Sequence, residues 1–110
     1  MKEFANGILI LAKDVKKGEK ESLLSLFSAA ERFKPMEVLV DADEECIIRV
    51  VLEGIGQIDL KLGADVKKGE KKTIMTLFWF AERSKPIEIM KDVKAGQKVE
   101  VRMWLVEAAE

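Results

Sequence analysis

The chain has 110 residues, of which 19 are Lys or Arg and 20 are Asp or Glu, so its formal net charge at pH 7 is −1. This length suits one domain with a single hydrophobic core, and 48% hydrophobic with 35% charged residues excludes a disordered or collagen-like chain. No apolar run approaches the ~20 residues of a membrane-spanning helix, so we expect a soluble protein with no membrane partner.

The N-terminal segment, MKEFANGILILAKD, contains a short apolar stretch that ends before Lys13 and Asp14. The stretch is too short for the apolar region of a secretory signal. The single cysteine, Cys46, leaves no internal disulfide that would require an oxidising compartment. We therefore expect the protein in the cytoplasm or in a particle assembled inside the cell, with residues 8–12 as an early strand.

An internal duplication begins at this strand, with an offset of 51 residues. The heptapeptide DVKKGEK at 14–20 stands unchanged at 65–71, and roughly 18 of 33 aligned positions around it are identical. The repeat predicts one domain, 1–110, built from two similar halves, 1–54 and 55–110, that are related by a pseudo-twofold axis. Such high internal identity, with no histidine or tyrosine, is also typical of an engineered or consensus-derived duplication.

A third version of the lysine-rich loop, KDVKAGQK at 91–98, indicates what the loop does. It lies between a short apolar run at 87–90 and the segment 98–107, in which Val, Met and Leu alternate with charged residues. That alternation predicts a half-buried strand. Gly96 and the charged residues around it are typical of a turn, so we predict a hairpin here.

The same turn, used twice more, predicts two further hairpins, which pair 8–12 with 20–28 and 57–63 with 71–80. Residues 47–53 read as another strand, which a Gly-Ile-Gly turn connects to the next one. Eight strands at this spacing are typical of antiparallel sandwiches and barrels. We therefore predict an all-β fold, an eight-stranded antiparallel sandwich or barrel.

The segments 20–33 and 71–83 also fit amphipathic helices. Apolar residues with helical spacing occur in the first copy at Leu23, Leu26, Phe27 and Ala30, and the second copy keeps that spacing. The Lys-Pro that follows suits the end of a helix. Two observations favour strands instead. The third copy of the turn is predicted to join two strands, and 73–80 is rich in strand-forming residues. The alternative fold is α+β, two β-α-β-β units with helices at 20–33 and 71–83.

Most catalytic chemistry is excluded by composition. Without histidine there is no Ser-His or Cys-His nucleophile pair and no His-containing zinc site, and one cysteine cannot build a thiolate cage. No complete glycine-rich phosphate-binding motif occurs. The acidic turn at 41–45 lacks the glycine and the distal Glu of a calcium-binding loop. We therefore predict no catalytic residue, no metal and no cofactor, and a protein that is not an enzyme.

The lysine-rich loops are candidate anion-binding sites. Their candidate residues are Lys16, Lys17, Lys20, Lys67, Lys68 and Lys71. If the twofold axis placed both loops together, their ammonium groups would contact phosphates in a salt-sensitive way. Interleaved acidic residues weaken this hypothesis, because charged turns also simply keep loops solvated. An anion- or nucleic-acid-binding α+β module is therefore the alternative function, and nucleic acid the less favoured partner.

Aromatic residues provide the leading functional hypothesis. Trp79 and Phe80 stand where the first half has Ser28 and Ala29, and in a strand they would point to opposite sides of a sheet. They indicate either a larger core in the second half or an interface, where tryptophan is favoured. Trp104 alternates with the apolar residues of its strand. We predict a non-enzymatic structural or protein–protein interaction module, self-associating as a homo-oligomer or a subunit of a larger assembly, with Trp79, Phe80 and Trp104 as interface candidates.

Overall fold

The computed structural model describes residues 1–106 as a strand-rich, antiparallel fold. In chain order the elements are β1 (Lys2–Ile10), β2 (Lys20–Glu21), α1 (Leu23–Leu26), α2 (Ala29–Arg32), β3 (Met36–Glu37), β4 (Ile47–Leu52), β5 (Gly56–Lys61), β6 (Lys71–Lys72), α3 (Ile74–Leu77), α4 (Phe80–Arg83), β7 (Ile87–Glu88) and β8 (Lys98–Leu105). All four helices are single turns, and within residues 1–106 no helix is long and apolar enough to cross a membrane.

The main sheet has four strands in the order β1-β8-β4-β5, and every neighbouring pair is antiparallel. Burial alternates along the two central strands, so that Ile48, Val50 and Leu52 of β4 face the core together with Val101 and Met103 of β8. This period of two is the geometry of a sheet that is buried on one face. The predicted strands at 47–53 and 98–107 are confirmed over the residues that the structure describes.

The two halves of the chain interlock. Two small sheets pair β2 with β7 and β3 with β6. Lys20 lies opposite Glu88 in the first sheet, and their equivalents in the other half, Lys71 and Glu37, lie opposite each other in the second. The main sheet follows the same rule, because Ile10 opposite Lys98 matches Lys61 opposite Ile47. Every pair of named strands joins one half of the chain to the other, so neither half contains a sheet of its own.

The predicted strands at 20–28 and 71–80 are present only at their first two residues, as β2 and β6, and the rest of that prediction is wrong. Ser22 caps α1 by accepting a hydrogen bond from the Ser25 N–H at 3.2 Å, and the Ser25 hydroxyl in turn accepts from the Ser22 N–H. Thr73 and Thr76 form the same reciprocal cap for α3. Such caps satisfy the free N–H groups of a first helical turn and favour helix over strand.

The alternative of one helix per segment is also only partly right. After α1 the backbone becomes extended at Phe27, with φ −124° and ψ 137°, and a second turn of helix begins at Ala29. The extended residue forms an isolated bridge with Leu11 and is fully buried. Phe78 interrupts the second copy in the same way. Burial of this phenylalanine in an extended conformation therefore divides each predicted helix into two turns.

The lysine-rich turns do not form local hairpins, which corrects the second part of the strand prediction. β7 pairs with β2, whereas β8 pairs with β1 and β4. The turn at 91–98 instead meets the loop at 13–20, where Val15 and Val93 exchange backbone hydrogen bonds of 2.9 Å. The predicted hairpin between β4 and β5 is present, and its turn uses Gly54 at φ 75°. The antiparallel, strand-rich class is confirmed.

One hydrophobic core serves both halves. Its largest fully buried side chains are Phe4, Leu9, Leu11, Leu23, Leu26, Phe27, Ile48, Leu52, Leu60, Leu62, Ile74 and Phe78. Each such side chain contributes about 1.5–3 kcal/mol relative to an exposed position. No polar or charged residue is buried as a whole among residues 1–106, so this core contains only hydrophobic side chains.

Candidate interaction surface

Trp79 occupies the position before the first residue of α4, and 59% of it is exposed. Its indole N–H nevertheless donates a hydrogen bond of 3.0 Å to the carbonyl oxygen of Gly63. The ring lies so close to this glycine that a Cβ there would stand 2.4 Å from Cδ1 of the indole. The first half has Ala12 and Ser28 at the two equivalent positions. Glycine and tryptophan therefore occur together in one half, and alanine and serine in the other.

Phe80 begins α4 and is 68% exposed, the largest exposed fraction among the large hydrophobic residues of the described chain. The Arg83 guanidinium lies 5.9 Å from its ring centroid, and the Arg83 Nε–H donates to the Phe78 carbonyl at 2.9 Å. Because Trp79 and Phe80 start a helical turn rather than continue a strand, both rings lie outside the core. A larger core in the second half is therefore not the explanation of these residues.

Trp104 lies apart from this pair, on the central strand β8. Its neighbours across the sheet are Glu3 on β1 and Arg49 on β4. The Arg102 guanidinium covers the indole at 4.9 Å, within cation–π distance, and also bonds to Glu3 at 3.1 Å. That hydrogen bond raises the pKa of Arg102. Trp104 is only half-buried and charged groups surround it, whereas Trp79 and Phe80 are largely exposed at the start of α4.

Further exposed apolar residues were missed by the sequence analysis. Ile8 is 58% exposed, Ile10 38% and Phe33 57%, and all three belong to the first half. The second half has Asp59, Lys61 and Ser84 at the equivalent positions. Each of the three stands where the other copy has a polar residue, and this difference between the copies is the signal in the sequence that marks them as exposed.

Each lysine-rich loop crosses a turn of the other half, and the strand and backbone contacts of residues 1–106 do not join the two loops to each other. We call residues 12–20 with 90–98 the basic crossing, and residues 39–47 with 63–71 the acidic crossing. In the basic crossing the Lys17 N–H donates to Asp92 at 2.9 Å. In the acidic crossing the Lys68 N–H donates to Asp41 at 2.8 Å. The six candidate lysines are thus divided between two sites, three in each.

The two crossings have the same backbone contacts but opposite charge. The basic crossing contains seven lysines and three acidic residues, a net charge of +4. The acidic crossing contains three lysines and six acidic residues, a net charge of −3. The difference arises mainly from the turn partner, because 41–45 is acidic where 92–96 carries a lysine, an alanine and a glycine.

Acceptors within the protein already bind several backbone N–H groups of the basic crossing. The Lys16 N–H donates to Glu19 and the Lys17 N–H to Asp92, while the Gly18 N–H donates to the Ile89 carbonyl at 2.8 Å. Lys13 bonds to Glu21 at 2.9 Å, which raises the lysine pKa. An anion would therefore meet ammonium side chains here rather than a preformed cradle of N–H groups. In the part of the chain that the structure describes, no three Cys, Asp or Glu side chains are placed to hold a metal ion.

A hollow of about 410 Å³ lies beside the turn between β4 and β5. Its walls are mainly apolar and include Leu52, Ile55 and Met90, and its polar side chains are Gln57 and Glu88. The positions equivalent to Ile55 and Gly56 in the first half are Phe4 and Ala5, and the side chains of Phe4 and Ala5 are fully buried. No motif in the sequence pointed to this hollow.

No family model, curated protein or solved structure matches this chain.

Proposed function

We propose that this strand-rich domain, whose three sheets we interpret as a β-sandwich, is a non-enzymatic protein–protein interaction module that associates with further copies of itself. The observation that carries the proposal is the exposure of two adjacent aromatic rings, Trp79 and Phe80, on a helical turn. Aromatic side chains of this kind are the residues that dominate binding energy at interfaces.

The hydrogen bond from Trp79 to Gly63 supports this role, because it fixes an exposed ring in one orientation. A side chain that is ordered before binding loses less entropy when an interface forms. Two aromatic rings at these exposures offer roughly 200–300 Å² of surface, against about 800 Å² per partner in an interface of standard size. Trp79 and Phe80 would thus form the centre of a larger contact.

The test is the mass of the wild type and of Trp79→Ser over a range of concentrations, by light scattering or sedimentation velocity. Serine is the residue that the first half carries at this position, so we expect the circular dichroism spectrum to stay the same. We expect self-association to weaken at least tenfold, about 1.4 kcal/mol. Ile8→Asp, which places the residue of the second half at another exposed apolar site, is the matched control. A monomeric wild type, or an unchanged mass for Trp79→Ser, would contradict the proposal.

Trp104 belongs to the same proposal as a secondary contact. Because its ring is half-buried and already covered by Arg102, it has less free surface to offer than Trp79. We therefore expect Trp104→Phe to weaken association less than Trp79→Ser does.

Anion or nucleic-acid binding is the second candidate, and the net charge of +4 on the basic crossing is the observation that favours it. Several backbone N–H groups of the basic crossing already have acceptors within the protein, and this weighs against anion binding. The candidate predicts oligonucleotide binding at about 50 mM salt that falls steeply as salt rises. An absence of binding across DNA and RNA oligonucleotides would remove it.

A further inference from the structure

The surface around Trp79 differs from its counterpart in the first half. We call Trp79 and Phe80, together with the acidic crossing, the tail surface. Gly63, on which the indole lies, is the first residue of the loop that enters this crossing, and its N–H donates to the Leu77 carbonyl at 2.8 Å. The aromatic pair and the net charge of −3 are therefore contiguous.

The equivalent surface of the first half carries small side chains and the opposite charge. We call Ser28 and Ala29, together with the basic crossing, the head surface. Ala12 leads into this crossing, and its N–H donates to the Leu26 carbonyl at 2.8 Å, which repeats the geometry at Gly63. Ala12, Ser28 and Ala29 are all exposed. The head surface thus combines small side chains with a net charge of +4.

Apolar side chains border the head surface. Phe33, 57% exposed, ends the helical turn that Ala29 begins, and its N–H donates to the Ala29 carbonyl at 3.1 Å. Ile10 lies next to the same turn, because its backbone N–H donates to Glu31 at 2.6 Å. An aromatic ring placed over Ser28 and Ala29 would therefore meet apolar neighbours.

We propose that self-association is head-to-tail, with the tail surface of one copy on the head surface of the next. The inference rests on the proposed function and specifies its geometry. The two surfaces complement each other in shape, large against small, and in charge, −3 against +4. A symmetric contact between two tail surfaces would instead bring two net negative crossings together, which is unfavourable.

A contact between two different surfaces of the same chain is heterologous, so it leaves one head and one tail free after each addition. Such contacts produce a closed ring when the rotation between copies closes, and an open filament when it does not. The mass should therefore increase beyond that of a dimer as the concentration rises. Because both surfaces are charged, the association should also weaken with added salt.

Two variants that each lack one surface test this geometry. The tail variant is Trp79→Ser with Phe80→Ala, the residues of the first half. The head variant is Lys16→Glu with Lys94→Glu, which changes the basic crossing from +4 to 0 and replaces two exposed side chains. Each variant alone should lose self-association at least tenfold. Their equimolar mixture should form a 1:1 dimer, because the tail variant keeps its head and the head variant keeps its tail. Circular dichroism checks that both fold, and Lys2→Glu controls for charge reversal elsewhere.

The outcomes separate this inference from the proposed function. If the wild type associates but the mixture of variants does not recover a dimer, or if the head variant associates like the wild type, the head-to-tail geometry is overturned while self-association stands. If the wild type stays monomeric at every concentration, the proposed function itself fails. If each variant by itself stays monomeric and their mixture forms a dimer, the head-to-tail geometry and the proposed self-association are both supported.

Discussion

At the scale of single residues, the pair formed by Gly63 and Trp79 explains a substitution that the sequence alone leaves obscure. The second half has glycine where the first has Ala12, although the backbone there is not in the left-handed region that requires glycine. The glycine is needed because a Cβ would lie 2.4 Å from the indole. The two positions therefore differ together between the halves, since the ring in this orientation fits only over a residue without a side chain.

We expect Gly63→Ala to displace the Trp79 ring and to break its hydrogen bond to the Gly63 carbonyl. The free energy of unfolding should fall by about 1 kcal/mol, the usual value of one hydrogen bond, because the exposed ring can rotate away rather than clash. Urea denaturation measures the loss. Trp79 fluorescence, recorded with Trp104 replaced by phenylalanine, reports the displacement.

The first half provides the control for this experiment. Gly63→Ala combined with Trp79→Ser recreates the pair of Ala12 and Ser28, so the alanine should cost much less in that background. The difference between the two costs is the coupling energy of a double-mutant cycle. Equal costs in both backgrounds would show that the alanine acts on the backbone and not on the indole.

At the scale of elements, two glutamates fasten helical turns to the outer strands of the main sheet. Glu31 of α2 accepts the Ile10 N–H at 2.6 Å and the Lys34 ammonium at 2.8 Å. Glu82 of α4 accepts the Lys61 N–H at 2.7 Å and the Lys85 ammonium at 3.0 Å. Each therefore occupies a backbone donor that an edge strand would otherwise offer to another chain.

These contacts set the direction of the pKa shifts. The hydrogen bond from Lys34, with that from the Ile10 N–H, lowers the pKa of Glu31. Burial on its own would raise the pKa of Glu82, but the N–H of Lys61 and the ammonium of Lys85 outweigh it and lower the pKa below its ordinary 4.5. A lowered pKa in the folded state means that stability is present above about pH 4.5 and is lost as the pH falls through the lowered value.

We therefore expect Glu82→Gln to lower the free energy of unfolding by about 1 kcal/mol near neutral pH, because the amide still accepts the N–H but carries no charge. The deficit should shrink between about pH 5 and pH 3, since protonation removes the same charge from the wild type. Urea denaturation across this range measures both effects, and Glu31→Gln should behave in the same direction. Glu37→Gln, at an exposed strand position, is the control. A deficit that stays constant with pH would show that the carboxylate charge does not stabilise this contact.

How far the sequence predicts these elements depends on how local their causes are. The alternation in β4 and β8 arises from burial of one sheet face, so it can be read directly, and these strands are confirmed. The turn at 91–98 looks like a hairpin because glycine and lysine suit any tight loop, whereas its real partner lies near Val15, almost 80 residues away. No local pattern carries that information.

The interaction surface is predictable to a similar extent. Trp79 and Phe80 stand out because their counterparts in the first half are small. Both lie at the start of α4, directly after the extended Phe78, and the helical turn before it is capped by Thr73. The capping pattern is short, Thr-x-x-Thr, and the strand-forming residues around it conceal it. The opposite charges of the two crossings follow from which turn each loop meets, and that is a property of the interlocked topology.

At the scale of the whole molecule, the interlocked strands determine what a half can do alone. β1 and β4 of the first half find their partners only in β5 and β8, and the small sheets also join the halves. An isolated half would expose the apolar faces of its strands without any sheet to hold them. We therefore expect the two copies of the repeat to fold as one cooperative unit and not as two linked units.

We expect the fragments 1–54 and 55–110 to lack a native spectrum as monomers and to regain it when mixed in equal amounts. Each fragment would restore the strand pairs that the other lacks, since all of them cross between the halves. Circular dichroism and amide NMR spectra measure the recovery, and light scattering measures the mass of the complex. Each fragment alone can form only a symmetric dimer, because its own strands then pair with those of a second copy. A fragment that folds as a monomer would contradict the interlocked topology, whereas recovery only on mixing would show that the sheet needs strands from both copies of the repeat.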